Sequence, residues 1–237
     1  MTTSISTMTP EQRVTTLFKL LENGSNKQHI DGKMSQLDQA LHVAQLVGKD
    51  GADPETLLAA LFQDVGHVCP PPEGSAEADD EDEDEDEDVK STIDYRMRGA
   101  NYLRQLGFPK KTCDLVESDV MGKRYVAALV SMYEEMISSA SKELLKLQGG
   151  PLTSTEAQAF EKDPLFKEKV LLVNCNFAAK VTEDKPPALD TYRGLTTSML
   201  YRQFIENQQR ESQANMEYTK EEIDQLKKEY DLSDDDL

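Results

Sequence analysis

Apolar positions along this chain recur at helical spacing, and no sustained strand-like alternation appears. The first segment is marked at both ends. Thr9 can cap it, Pro10 stands at the first helical position, and Gln12 completes a capping-box spacing. Val14, Leu17, Phe18 and Leu21 then follow the i, i+3, i+4, i+7 rule, and Gly24 closes the helix. Ser35 with Asp38 opens a second helix, with Leu37, Leu41, Ala44 and Val47 as its apolar face and Gly48 as its end. Asp53-Pro54 opens a third, Glu55 to Asp64, whose "TLLAALF" is apolar nearly all round and therefore reads as buried.

The pattern then breaks. "CPPPEGSAEADDEDEDEDEDVK" is Pro-rich and then purely acidic, and over 70–90 it predicts a disordered insertion, since like charges repel and nothing in it can pack. Helical spacing resumes near Thr92 and runs to Leu106, stopped by Gly107 and Pro109. Further helices fit Lys111 to Val120, Tyr125 to Met136, Ser139 to Leu147, Ser154 to Lys162 and Leu165 to Lys180, with a hard turn at Gly149-Gly150-Pro151. The last segment is polar. Thr219 and Glu222 form a capping box there, and Ile223, Leu226 and Tyr230 give a thin apolar stripe. The expected plan is all-α: a disordered N-terminus over 1–8, a helical bundle over 9–193 that carries the acidic insertion, and a peripheral helix with an acidic tail over 194–237. No internal repeat is visible.

Composition narrows the function classes. The 237 residues suffice for one domain with a real core plus tails. The net charge is −19, and the run Asp79 to Asp88 supplies −10 of it, leaving −9 for the rest. Such a surface argues against nucleic acid and anionic membranes as partners, because both need clustered Lys and Arg. Cys69, Cys113 and Cys175 are odd in number and form no CxxC pair, which suits a reducing compartment. "MTTSISTMTP" has neither a basic patch nor an apolar core, so no secretory signal is expected. No apolar stretch reaches the roughly 20 residues of a membrane span. The cytoplasm is the expected location.

The chemistry centres on "ALFQDVGHVC", Ala60 to Cys69. It has the shape of a helix that ends by presenting a metal-binding His-Asp pair, but Gln63 stands where the His belongs. "MSQLDQALHVAQLV", "GADPETLLAALFQDVGH", "RGANYLRQLGFP", "SDVMGKRYVAAL" and "SSASKELLKLQGGPLTSTEAQAF" follow in order. Over roughly Leu17 to Tyr192 the chain resembles the HD-domain diiron oxygenases, and is similar to those that cleave hydroxylated aminoalkyl phosphonates. The "GKRY" and "LQGGP…EAQAF" segments are specific to that branch.

The resemblance implies a helical HD bundle in which four His and two Asp hold two irons. Those positions fall here on Gln39, Gln63, Asp64, Tyr95, Asp119 and Asn176. Only Asp64 is kept outright, and Asp119 puts a carboxylate where a His is expected. Gln and Asn offer neutral amide carbonyls, which are poor iron ligands. No cofactor is therefore expected, and iron least of all. Asp64 and Asp119 remain as candidates for a loosely held hard cation, or for a new site with His67. Lys123, Arg124 and Tyr125 match the family's "KRY", where the Lys helps hold an anionic substrate, and Ser141 matches a hydroxyl that contacts it. A structural reading, with the Lys and Arg stems packed at a helix edge and capping carbonyls, stands beside that one. The companion Arg falls on Val173, the acidic lid residue on Gly32, and a Tyr over the substrate on His29. His42, one turn after Gln39, reads as a surface residue.

Three functions follow from these expectations. The first is a degenerate HD protein that binds a metabolite or a protein, with the acidic run as a docking device or a solvated spacer. The second is a metal-independent isomerase, cyclase or hydratase that uses Asp64, His67, Asp119, Lys123 and Tyr125 as acid-base groups. The third is an oxygenase or phosphohydrolase on a reduced ligand set.

Overall fold

The computed structural model describes residues 5–24, 34–70, 87–130, 133–182 and 185–230. Among them every regular element is helical. A short 3-10 turn, Ile5–Thr7, packs Ile5 against the core, so the disorder expected over 1–8 does not extend to it. Helix α1 (Pro10–Gly24) begins with the expected capping box: Thr9 N–H donates to Gln12 Oε1 at 2.8 Å and Gln12 N–H to Thr9 Oγ1 at 3.4 Å. Helix α2 (Gln36–Lys49) is capped by Ser35, whose Oγ accepts from Asp38 N–H at 3.0 Å. Helix α3 (Pro54–Phe62) is capped by Asp53 and stops two residues short of expectation, with Gln63 and Asp64 turning into a 3-10 segment, Val65–His67.

Helix α4 (Glu87–Leu106) starts earlier than its apolar pattern. Residues 87–90 of the acidic insertion are helical; 71–86 lie outside the described residues. Helix α5 (Lys110–Glu117) and helix α6 (Asp119–Leu129) replace the two helices expected between Lys111 and Met136. The chain bends at Ser118, where no Gly or Pro announces a break. Then come α7 (Tyr133–Met136), α8 (Ser139–Leu147), α9 (Ser154–Phe160), α10 (Phe166–Val181) and, after a 3-10 turn at Leu189–Tyr192, α11 (Arg193–Tyr230). α11 runs through Thr219 as continuous helix, so no helix starts there. Its first turns are not peripheral, because Thr196, Met199 and Leu200 are buried.

The bundle holds two apolar clusters. The larger gathers Val14, Leu17 and Phe18 of α1, Val43 and Val47 of α2, Leu58, Leu61 and Phe62 of α3, and Leu103 and Leu106 of α4. The smaller joins Tyr125, Val126, Tyr133, Leu145, Phe160 and Val173, from α6 to α10. α10 contributes to both, through Leu172 and Cys175 on one side and Val173 on the other. No helix among the described residues is long and apolar enough to cross a membrane. The three cysteines are buried and free.

One ion cluster ties α3, α5 and α10 together from outside. Lys111 Nζ lies 2.8 Å from both Asp53 Oδ2 and Glu168 Oε1. Burial opposes ionisation of Asp53, but the hydrogen bonds from Lys111 and Thr56 outweigh it and hold its carboxyl below the ordinary range; the Lys111 bond also lowers Glu168. A carboxyl depressed in the fold stabilises above its unfolded pKa, about 4, and that stability is lost as pH falls through the folded value. Lys111→Met should therefore flatten the decline in unfolding free energy between about pH 5 and pH 3. Urea unfolding across that range checks it, and a slope like that of the unsubstituted protein would mean that Lys111 does not set these two carboxyls.

Candidate functional site

Between the two clusters lies a cavity of about 240 Å³. α10 faces it with Val173, Asn176, Phe177 and Lys180, and α8 with Ser141, Leu144, Leu145 and then Gln148, each set at i, i+3, i+4, i+7. α2 adds Gln36 and Gln39, the end of α3 adds Gln63 and Asp64, and α4 adds Tyr95 and Arg96. A wider, shallow depression of about 910 Å³ lies along α11, between Asp190 and Glu206, and holds none of the candidate site residues. The smaller cavity is the one that gathers the candidate residues.

At its centre three carboxamides bond to one another. Asn176 Nδ2 donates to the Leu172 carbonyl at 3.1 Å and to Gln63 Oε1 at 2.8 Å. Asn176 Oδ1 accepts from Gln63 Nε2 at 3.1 Å and from Gln39 Nε2 at 3.3 Å. The Leu172 carbonyl can only accept, so it fixes which end of the Asn176 amide points where, and the two glutamines follow. Gln39 and Gln63 are buried and Asn176 is half-buried, so these bonds satisfy polar groups that have little access to solvent.

Beside the amides the 3-10 turn is pressed onto α4. A Cβ on Gly66 would stand 1.7 Å from the Tyr95 carbonyl oxygen, and one on Gly99 would stand 2.8 Å from Gly66 N. Arg98 donates to the Gly66 carbonyl through Nε at 2.8 Å and through Nη2. This backbone contact lays the exposed His67 ring on Tyr95, with centroids 3.7 Å apart and planes 27° from parallel. Arg96 Cζ sits 5.2 Å above the same Tyr95 ring.

The remaining expected residues divide. Lys123 lines the cavity, but its two neighbours in "KRY" do not. Arg124 donates to the carbonyls of Gly150 at 2.8 Å and Gly149 at 3.4 Å and pairs with Glu156, holding the turn after α8, where both glycines have positive φ. Tyr125 is buried against Phe160 and Phe166 and donates to Glu161 at 2.9 Å. Burial first, and Glu161 second, push its phenol up, so its place is in the smaller cluster and not in the cavity. Ser141 reaches the wall, although its hydroxyl accepts from Ser138 at the start of α8. Val173 is fully buried, packs closely on Gly122 and lines the cavity with an apolar side chain where the family has an Arg. His42 is buried, not on the surface, because α2 packs between α3 and α10. The Asp119 side chain, His29 and Gly32 lie outside the described residues. Among those described, no group of three or more His, Cys, Asp or Glu is arranged to hold a metal ion.

Gln36, Arg96, Tyr133, Gln148, Phe177 and Lys180 belong to the site but were not singled out from sequence. Helical spacing from Gln39, Ser141, Val173 and Asn176 carries the signal for Gln36, Gln148, Phe177 and Lys180.

No family model matches the chain. Hydroxymethylphosphonate dioxygenase of Gimesia maris is 31% identical over 192 residues, covering 81% of this chain and 90% of that protein. The chain belongs to the HD-domain phosphonate dioxygenase family. A second relative in this family is the glycine-betaine-forming [1-hydroxy-2-(trimethylamino)ethyl]phosphonate dioxygenase of Leisingera caerulea, 27% identical over 71% of this chain and 80% of that protein. An uncharacterised protein of Acanthamoeba polyphaga mimivirus is 25% identical over 80% of this chain and 82% of its own length.

Two substitutions test the geometry. Gly66→Ala should cost about 3 kcal/mol, because the turn must leave α4. Thermal unfolding reads it, and a Tm within a degree or so of the parent would mean the contact is soft. Asn176→Asp removes both N–H donors and sets a carboxylate against the Leu172 carbonyl. It should cost about 1–3 kcal/mol at neutral pH and less near pH 5, where the new acid takes up a proton. Equal loss at both pH values would count against the network as drawn.

Proposed function

We propose that this family member does not work as a diiron oxygenase and instead binds a small organic molecule in the old cavity without a metal. The observation that carries the reading is the amide network of Gln39, Gln63 and Asn176, whose polar atoms are turned on one another. An iron pair needs imidazole and carboxylate donors with lone pairs free for the metal. Here Asn176 Oδ1 already accepts two N–H bonds, and its nitrogen is committed to Leu172 and Gln63. Tyr95, where the family has a metal ligand, lies flat against His67. Asp64 is the single carboxylate among the described residues of the wall. This donor set does not fit two irons. Loss of the Arg position to Val173 also removes the fork that would grip a phosphonate.

Asp64 and His67 line the same cavity, and that supports a second reading: a metal-independent acid-base enzyme of isomerase, cyclase or hydratase type. Both readings rest on the same metal-free pocket.

Elemental analysis of protein expressed with iron supplied tests them together. Iron should stay well below one equivalent per chain. About two equivalents would restore the oxygenase and overturn both readings.

A further inference from the structure

Helix α11 outruns the bundle it belongs to. Its 38 residues span about 57 Å at 1.5 Å per residue. Thr196, Met199 and Leu200 are buried against the bundle, and Gln203 and Glu206 continue that side half-buried. From Asn207 to Gln213 every side chain is exposed. A helix in water draws most of its stability from packing an apolar face, and an unpacked stretch of this length is marginal by itself. The exposed part of α11 therefore calls for a partner outside the bundle.

The sequence of α11 carries the pattern for one. Met216, Thr219, Ile223, Leu226 and Tyr230 follow one another in steps of three and four, the a and d spacing of paired helices. Ile205, about three turns before Met216, begins the same line. It is 52% exposed and lies on the side of α11 turned away from Thr196, Met199 and Leu200. The shallow depression along α11 follows that outer side, past Ser198 and Tyr201 to Ile205. A second helix can thus lie along the line without displacing the bundle. Gln209 and Ser212 interrupt it, so its apolar strength sits in the last two heptads.

The flanking charges choose the occupant. With Ile223 at a and Leu226 at d, the e positions are Lys220 and Lys227 and the g positions Glu222 and Glu229. In a parallel pair each g residue faces the e residue of the next heptad on the other helix. Glu222 of one copy then meets Lys227 of the other, and two-fold symmetry makes the contact twice. In an antiparallel pair g faces g and e faces e, which sets Glu against Glu and Lys against Lys. A β-branched residue at a with Leu at d favours two strands. We propose that residues 205–230 of α11 pair, parallel and in register, with the same helix of a second copy of this chain. The proposal is independent of what the cavity binds. The net charge of −19 per chain opposes association, and salt near the physiological level screens that repulsion beyond about 8 Å.

Sedimentation equilibrium of the full chain, at roughly 0.2 mM protein and 0.15 M salt, tests it. The mass should be that of two chains. Ile223→Gln with Leu226→Gln should weaken association by about tenfold or more. The thermal transition of the bundle should stay in place, because both positions lie beyond the turns of α11 that are buried. Lys227→Glu alone should weaken pairing, and Glu222→Lys together with Lys227→Glu should restore it, as a contact between g and e positions requires. A mass of one chain or of three would overturn the proposal and leave the line to a different partner or assembly. Pairing that survives Ile223→Gln with Leu226→Gln would overturn it by placing the contact elsewhere on the chain. Indifference to Lys227→Glu, or no recovery in the double exchange, would overturn the parallel register.

Discussion

The bond from Asn176 to the carbonyl of Leu172, one turn earlier on α10, is the constraint from which the site is built. A backbone carbonyl in a helix can only accept, so the side chain beside it must donate. That fixes the amide of Asn176 in one orientation and turns its oxygen toward α2 and α3. Gln39 and Gln63 then have to present nitrogen, and three helices are joined at a buried point by groups that carry no charge. Because unpaired polar atoms in such a place cost about as much as a point mutation in a core, the three side chains hold one another in register.

A second contact makes the other wall. Gly66 and Gly99 let two backbone segments approach more closely than any Cβ would permit, and Arg98 ties the turn to α4. The result is positional: His67 can only lie on Tyr95, and Asp64 is carried to the cavity edge by the same turn. Gln63 and Gly66 stand three residues apart, so the end of α3 joins the amide network to this backbone contact, and residues of both line the cavity.

Much of this frame was legible in the residues. Helices with a polar cap and a clean apolar stripe, such as those opened by Thr9, Ser35 and Asp53, begin where their caps stand, because the cap satisfies donors that nothing else can reach. The break at Ser118 was not legible. It depends on α6 turning to pack Gly122 against Val173, a tertiary contact that carries no local mark. The same holds for His42, buried because α2 has neighbours on two sides, and for Tyr125, whose hydroxyl finds Glu161 across the smaller cluster. In α11 a local capping pattern at Thr219 was overridden by helix continuing from Arg193. The candidate site divides along the same line. The resemblance pointed to Gln39, Gln63 and Asn176 one by one, but that they bond to each other is a fact of three helices and not of any segment.

That mutual bonding also bears on how such a site can change. A His at position 63 offers one donor or one acceptor toward Asn176, depending on its tautomer, where the amide now gives both. An Asp at position 176 could accept from both glutamines but would repel the Leu172 carbonyl. On the reading proposed above, each single return toward metal ligands breaks a bond and leaves the donor set for two irons incomplete. Imidazole and carboxylate at these positions are stable only together and only with a cation to answer them, while the amides are stable together without one. On that reading the two arrangements are alternative solutions for the same centre, and a single substitution toward either leaves polar groups without partners.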